Sequence, residues 1–397
     1  MNKKKIINDP VYGFVTIPYG IIFDIIEHPY FQRLRRIKQL GLTHYVYPGA
    51  LHTRFHHALG AMHLMTQAVE VLRSKNVDIT DEEAEAVTIA ILLHDIGHGP
   101  FSHALEHSIV DVHHEDLSLK FMEALNTEFD GKLSLAIEIF SGKYHKNFLH
   151  QLVSSQLDMD RMDYLNRDSF FTGVHEGVIG YDRIIKMLSV SDGELVVEEK
   201  GIYSVEKFLV SRRLMYWQVY LHKTVVSAEQ MVIRVFRRMK ELASKGVELD
   251  VSDSLRFFLY EKNHANKLLE NYAKLDDVDI AMAIKNLCEH DDYVLSFLSK
   301  GLIHRRLLKI KLQNEPFSRD HINEMRHKTE KKHPIEKKDI KYLVFEGKEA
   351  ISSYSNSEEI KILFKTGEVL PISECSDHGI EPRTMMKYYL CFPMSEL

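Results

Sequence analysis

The stretch that most restricts this chain runs from Val87 to His103. An apolar run, Val87–Leu93, ends in two ionisable residues side by side, His94 and Asp95, and a Gly97-His98-Gly99-Pro100 turn leads on to His103. A helix that buries Val87–Leu93 delivers His94 and Asp95 to the edge of a core, where ionisable groups are costly unless matched. Glycine and proline directly behind them stop the helix and turn the chain. Four groups able to bind metal or donate protons within ten residues read as a site.

With 397 residues the chain is long enough for a large core, and its 45% hydrophobic and 27% charged residues are those of a soluble globular protein. The net charge of −6 gives no global attraction for nucleic acid or acidic membrane. Twenty-three histidines, several of them clustered, raise the question of metal. Cys288, Cys375 and Cys391 show no C-x-x-C spacing, which fits a reducing compartment. The start, Met-Asn-Lys-Lys-Lys, has no apolar signal core, and no apolar run reaches the length of a membrane span. The expectation is a cytoplasmic enzyme or regulator.

Periodicity predicts a mainly α protein. Residues 5–20 read as extended, and Phe31–Leu40 as a short basic amphipathic helix stopped by Gly41, its four cations either a solvated face or an anion site. A strong helix is expected over 53–73, with His57, Ala61, Leu64 and Ala68 on one side. Acidic residues 81–85 open a helix running to Leu93. Helices are also expected over 114–127 and 133–140. A further helical face runs from Leu149, Val153 and Leu157 into Asp160, Tyr164 and Asp168, placing two carboxylates on a core side. Residues 191–205 alternate like a β-hairpin around Glu199-Lys200-Gly201, and a long helix is expected over 205–244. Helical patterns cover 252–265 and 276–300, and Leu302–Ile310 is short and basic. Residues 321–338 suggest a solvated helix or connection, and the end turns β-like at 341–345, 360–364 and 388–392.

His57, His94, Asp95 and Asp160 offer two imidazoles and two carboxylates from three predicted helices, a donor set for a divalent first-row metal. A single histidine beside apolar residues is ordinarily a hydrogen-bonded core residue. The conjunction of four such groups on inward faces argues for a metal. Imidazole and carboxylate accept Mn, Fe, Mg, Co, Ni or Zn, so the ion is left open.

The pattern His57, His94-Asp95 and Asp160 resembles that of the HD-domain metal-dependent phosphohydrolases. Longer stretches resemble the deoxynucleoside triphosphate triphosphohydrolases of that superfamily: Phe31-Gln-Arg-Leu-Arg35, Arg54-Phe-His-His57-Ala-Leu-Gly60, His94–His103 and Asp158-Met-Asp-Arg-Met-Asp-Tyr164-Leu-Asn-Arg-Asp168. The likeness covers about residues 5–240 and thins towards 310. Because it starts almost at Met1, no sterile-alpha-motif domain is expected ahead of it. It implies an HD helical bundle with a β-hairpin insertion over 1–245, a helical extension over 246–320, and a small mixed α/β region over 321–397.

The resemblance also implies the activity: hydrolysis of a dNTP at the α-phosphate to deoxynucleoside and intact triphosphate. His98 and His114, with Arg54 and Arg161, would then offset phosphate charge, and His103 would serve as general acid. Glu106 stands where relatives often carry Asp and would orient a histidine. Gln39, Tyr164 and Asp168 correspond to sugar contacts, and Arg212 and Tyr220 to phosphate and sugar contacts, while Tyr216 departs from a histidine frequent in the family. Lys5, Asn8 and Arg35 match an activator-nucleotide site of some relatives. There Glu27 replaces an Asp that reads guanine, and Tyr12 replaces a histidine. The resemblance further implies a homo-oligomer, dimer or tetramer. Two other functions remain open on sequence: a phosphohydrolase of deoxynucleoside monophosphates or cyclic nucleotides, and a nucleotide-sensing regulator with a vestigial site. Neither a membrane nor nucleic acid is an expected partner.

Overall fold

The structure, a computed structural model, describes residues 5–261, 267–352, 359–377 and 384–394. Its body is a stack of helices around the long helix Arg54–Ser74, which packs against Asp81–Leu93 on one side and Met159–Thr172 on another. Their starts and stops follow local chemistry. Thr80 and Glu83 cap one another across the first turn of Asp81–Leu93, at 3.2 and 2.8 Å. Asp158 accepts from the backbone of Arg161 to open Met159–Thr172, and Gly173 at φ 75° closes it. Apolar residues between Val15 and Cys391 form one main core, with Ile322, Val344 and Leu390 in a small second cluster.

Strands β1 (Ile6–Asp9) and β2 (Gly13–Thr16) form an N-terminal hairpin. β3 (Leu188–Ser191) and β4 (Glu194–Glu198) form a second, around Asp192-Gly193. Strands β5 (Lys309–Gln313), β6 (Phe345–Ser352) and β9 (Thr384–Phe392) make an antiparallel sheet with β9 central. β7 (Lys361–Leu363) pairs with β8 (Val369–Pro371) and lies parallel to β4, with Val197 opposite Ile362. The C-terminal segment therefore contributes two strands to the sheet that the body's own hairpin begins.

Several expected elements are redrawn. The Phe31–Leu40 helix is only a turn of α-helix, Pro29–Gln32, and a 3-10 turn, Arg33–Arg36. Its cations are separated rather than gathered on one face. Arg33 is fully buried and donates to the carbonyls of Ile96 and Leu275 at 2.7 and 3.1 Å, while Arg36 pairs with Asp276. The second hairpin turns at Asp192-Gly193, and Glu199–Gly201 is a 3-10 turn after it. The single face from Leu149 to Asp168 is split between Asn147–Val153 and Met159–Thr172. The helix expected over 205–244 is two, Ile202–Met215 and Lys223–Ser244, separated by a π-turn at Tyr216–Tyr220. The 252–265 pattern is helical over Asp253–Tyr260, its last part lying outside the described residues, and 276–300 divides into Asp277–Asn286 and Tyr293–Ile303. Leu302–Ile310 runs from the end of that last helix into β5, and 321–338 holds the helix Arg319–Lys332. Among the described residues, no helix is long and apolar enough to cross a membrane.

Candidate metal centre

Three elements converge at the middle of the body. His57 sits in the first turn of Arg54–Ser74, His94 caps the end of Asp81–Leu93 with Asp95 beside it, and Asp160 lies in the first turn of Met159–Thr172. His57 Nε2 is 3.1 Å from Asp160 Oδ1, 3.3 Å from His94 Nε2 and 3.5 Å from Asp95 Oδ2. His94 Nε2 is 3.4 Å from Asp95 Oδ1 and 3.5 Å from Asp160 Oδ1.

The far side of each imidazole is fixed. His94 Nδ1 lies 2.6 Å from the Ile91 carbonyl and His57 Nδ1 2.7 Å from Asp163 Oδ2. An N–H donated there leaves each Nε2 lone pair facing the centre, which is how metal-binding histidines are held. Burial alone would lower the His57 imidazole, but the hydrogen bonds it donates to Asp160 and Asp163 push it up to about 10. Burial alone would likewise raise Asp160, and its bonds to His57 and His94 hold it well below the usual carboxylate range. Such a field calls for positive charge, and a divalent ion supplies it while leaving both imidazoles neutral as ligands. The donor set fits a metal.

Behind His57 stands a residue that the sequence pattern missed. Asp163 faces His57 and receives two hydrogen bonds from Arg167, at 2.9 and 3.0 Å, and Arg167 donates on to Asp9 in β1 at 2.8 Å. All are buried. The approach of the helices here requires Gly60, since a Cβ on it would collide with the Asp163 carboxylate and the Arg167 guanidinium. Asp163 is three residues from Asp160, and only the Asp-x-x-Asp spacing marked it.

A second group of side chains lies over His98. Its ring centroid is 4.0 Å from that of His114 and 4.9 Å from that of His103. Glu106 ties two of the three together, with Oε1 2.6 Å from His114 Nδ1 and Oε2 3.0 Å from His103 Nδ1. Burial alone would raise the Glu106 carboxyl, but those bonds hold it well below the usual range. His103 is 67% exposed, the group of the three open to solvent. The backbone leading to it is left-handed at Phe101 and Ser102, both at φ 53°, which strains two non-glycine residues to aim this loop.

Arg54 belongs to the metal set more than to open space. It pairs with Asp95 and donates from Nε to Ser102 at 2.9 Å. Arg161 pairs with Asp158. Arg212, 7% exposed, has only the Gln156 amide oxygen at 2.9 Å among the described residues, and its Nε is unpartnered. Asp168 accepts from Tyr220 at 2.8 Å and lies 2.7 Å from His52 Nε2, a histidine that no motif pointed to. The ring of Tyr164 is 6.2 Å from that of Tyr220, which in turn is 5.2 Å from that of Tyr216. Gln39 meets His52 through its backbone at 3.0 Å, and its side-chain oxygen is buried without a partner. Unpartnered buried atoms on Gln39, His52, His98, Arg161 and Arg212 around one centre mark a place built for a polar ligand.

The HD domain matches residues 54–168, and the HD associated region residues 179–266. An uncharacterized protein of Bacillus subtilis is 34% identical over 316 residues, covering 78% of this chain and 72% of that protein. The chain belongs to the HD-domain phosphohydrolases. A crystal structure of a phosphohydrolase from Bacteroides thetaiotaomicron superposes on this HD phosphohydrolase with a TM-score of 0.96 at 52% identity, covering 99% of this chain and 100% of that one. The deoxynucleoside triphosphate triphosphohydrolase SAMHD1 homolog of Dictyostelium discoideum is 34% identical over 63% of this chain, which spans 51% of that relative's length.

In this HD phosphohydrolase the four N-terminal residues singled out by resemblance also meet. Lys5, Asn8, Glu27 and Arg35 line one cavity of about 420 Å³, with Asp9 of the buried chain at its wall. The Tyr12 backbone donates to Asp9 at 3.0 Å, and its ring lies 5.4 Å from that of His63.

Proposed function

We propose that this chain hydrolyses deoxynucleoside triphosphates at the α-phosphate, releasing the deoxynucleoside and intact inorganic triphosphate. The observation that carries the reading is the register of Met159–Thr172. Asp160, Tyr164 and Asp168 recur every fourth residue, so one helix face would carry a metal ligand at one end and the sugar-contacting pair beyond it. SAMHD1-type relatives, named as dNTP triphosphohydrolases, support the substrate class.

His57, His94, Asp95 and Asp160 would hold the metal, which polarises a phosphoryl oxygen and acidifies a water when bound. Arg212 and Arg161 offer N–H groups to the phosphates, and Arg54 holds Asp95 in place. Water attacks the α-phosphorus, the bond from it to the 5′-oxygen breaks, and His103, steadied by Glu106, gives that oxygen its proton. Asp168 and Gln39 take the 3′-hydroxyl, with Tyr164 against C2′. The Lys5–Arg35 cavity would receive an activating nucleotide, and activation would accompany assembly into a homo-oligomer.

Product analysis tests the reading. Each dNTP is incubated with Mn or Mg, with and without GTP or dGTP, beside a His94→Ala/Asp95→Ala control. Deoxynucleoside plus intact triphosphate, absent in the control, is the expected result. Monophosphate plus pyrophosphate, or turnover of deoxynucleoside monophosphates or cyclic nucleotides alone, would overturn it.

A further inference from the structure

Away from the metal centre, four cations from three separate parts of the chain line one cavity of about 350 Å³. Arg234 and Arg237 come from Lys223–Ser244, Arg326 from Arg319–Lys332 and Lys341 from the 3-10 turn Ile340–Tyr342, with Glu346 as the single lining acid. The chain as a whole carries −6, so this concentration is not a reflection of composition.

The neighbouring Arg238 shows how this fold treats an arginine that it buries for stability. Asp292, Asp339 and Glu241 accept from its guanidinium at 2.6 to 3.2 Å. Arg234, one turn earlier and only 9% exposed, has no carboxylate partner among the described residues. Its guanidinium lies 4.0 Å over the ring of Phe345, leaving its N–H edges free for an in-plane acceptor. Arg326 Nε is buried and likewise has no partner. Buried arginine without an anion is costly, and like charges in one cavity add to the cost. A ligand rich in anionic oxygens offsets both.

We propose that this cavity binds a compact polyphosphate, either free or as the phosphate tail of a nucleotide. Forked guanidinium groups suit phosphate oxygens, and several converge here at once. The volume is at the lower end of small-ligand pockets. A compact cluster of this size suits a discrete polyanion better than the long backbone of a nucleic acid, which needs a stripe of contacts. The site is independent of the proposed reaction.

Isothermal titration calorimetry of the full chain with inorganic tripolyphosphate tests the assignment, with ATP in a second arm. Arg237→Ala/Arg326→Ala removes two cations while leaving the buried Arg234, and Lys341→Ala gives a second, milder variant, each checked for an unchanged melting profile. Lys5→Ala and Arg212→Ala report on the other two anion-binding places. The expected result is a binding event weakened at least tenfold in the double variant, less in Lys341→Ala, and retained in Lys5→Ala and Arg212→Ala. Equal affinity for both probes would identify the phosphates alone as recognised, and tighter ATP binding would identify a nucleotide. Unchanged affinity in both cavity variants would overturn the proposal. So would loss confined to Lys5→Ala or Arg212→Ala.

Discussion

Asp163 Oδ2 lies 2.7 Å from His57 Nδ1, on the side of the imidazole that faces away from His94, Asp95 and Asp160. The same carboxylate takes both parallel N–H groups of Arg167, so His57 is oriented by a charge that is itself held in place. Asp163→Asn keeps the shape and removes the charge. Metal affinity is expected to fall by about 10- to 100-fold, the usual effect of losing such a partner. Metal titration by calorimetry checks this, and wild-type affinity in the variant would refute the role.

Glu106 joins His103 and His114 through its two oxygens. In Glu106→Gln both imidazoles lose the charge that fixes their orientation. Turnover is expected to fall by about 10²- to 10⁴-fold, the range assigned to positioned acid-base groups, with metal affinity unchanged. Steady-state kinetics beside metal titration separate the two effects. A parallel loss of metal would place Glu106 in the metal site instead.

The chain Asp9, Arg167, Asp163, His57 connects the wall of the N-terminal cavity to the candidate metal centre through buried hydrogen bonds. If that cavity receives an activator, Asp9→Asn is expected to reduce the ratio of activated to basal rate by about 2- to 30-fold, the factor for a coupling change of about 0.5–2 kcal/mol. Rates measured across GTP concentrations test it. An unchanged ratio would show that the chain serves folding alone.

Glu229, on Lys223–Ser244, is pushed up to about 8 by burial and then by Glu349 on β6. The folded state keeps a proton that the unfolded chain releases near its ordinary value of 4.5. Stability from this group is therefore full below pH 4.5 and lost as pH rises towards 8. Glu229→Gln is expected to raise the melting temperature at pH 8 by on the order of 5 °C and to change little at pH 4.5. Equal shifts at both pH values would contradict the assignment.

The convergence of His57, His94, Asp95 and Asp160 was readable because each member carries its own signal: an ionisable pair ending an apolar helix, and inward positions on two other helices. Asp163 was not singled out, because only its Asp-x-x-Asp spacing from Asp160 marks it and that spacing alone does not separate a ligand from the residue that orients one. His52 precedes its helix in a loop, where no period applies. The break at Tyr216–Tyr220 has neither glycine nor proline, so the two flanking helices read as one. The turn at Asp192-Gly193 did carry its signal, an Asp-Gly pair, but the alternation around it extended past the true strand end. Residues 31–40 misled for another reason. Arg33 looks like a surface cation by type, and only the tertiary carbonyls of Ile96 and Leu275 explain its burial. Arg234, Arg326 and Lys341 are too distant in sequence for any spacing rule to join them.

The parallel pairing of β4 with β7 bears on how this protein divides. A chain ending near residue 320 would strip β4 of its outer neighbour and bare the ladder atoms of Val197 and Glu198, next to side chains that are now buried. An uncovered edge of that kind recruits other chains. The catalytic body is thus not a module that can be lifted out intact: its last strands are borrowed from the tail, and shuffling the two apart would leave a sticky fragment rather than a smaller enzyme.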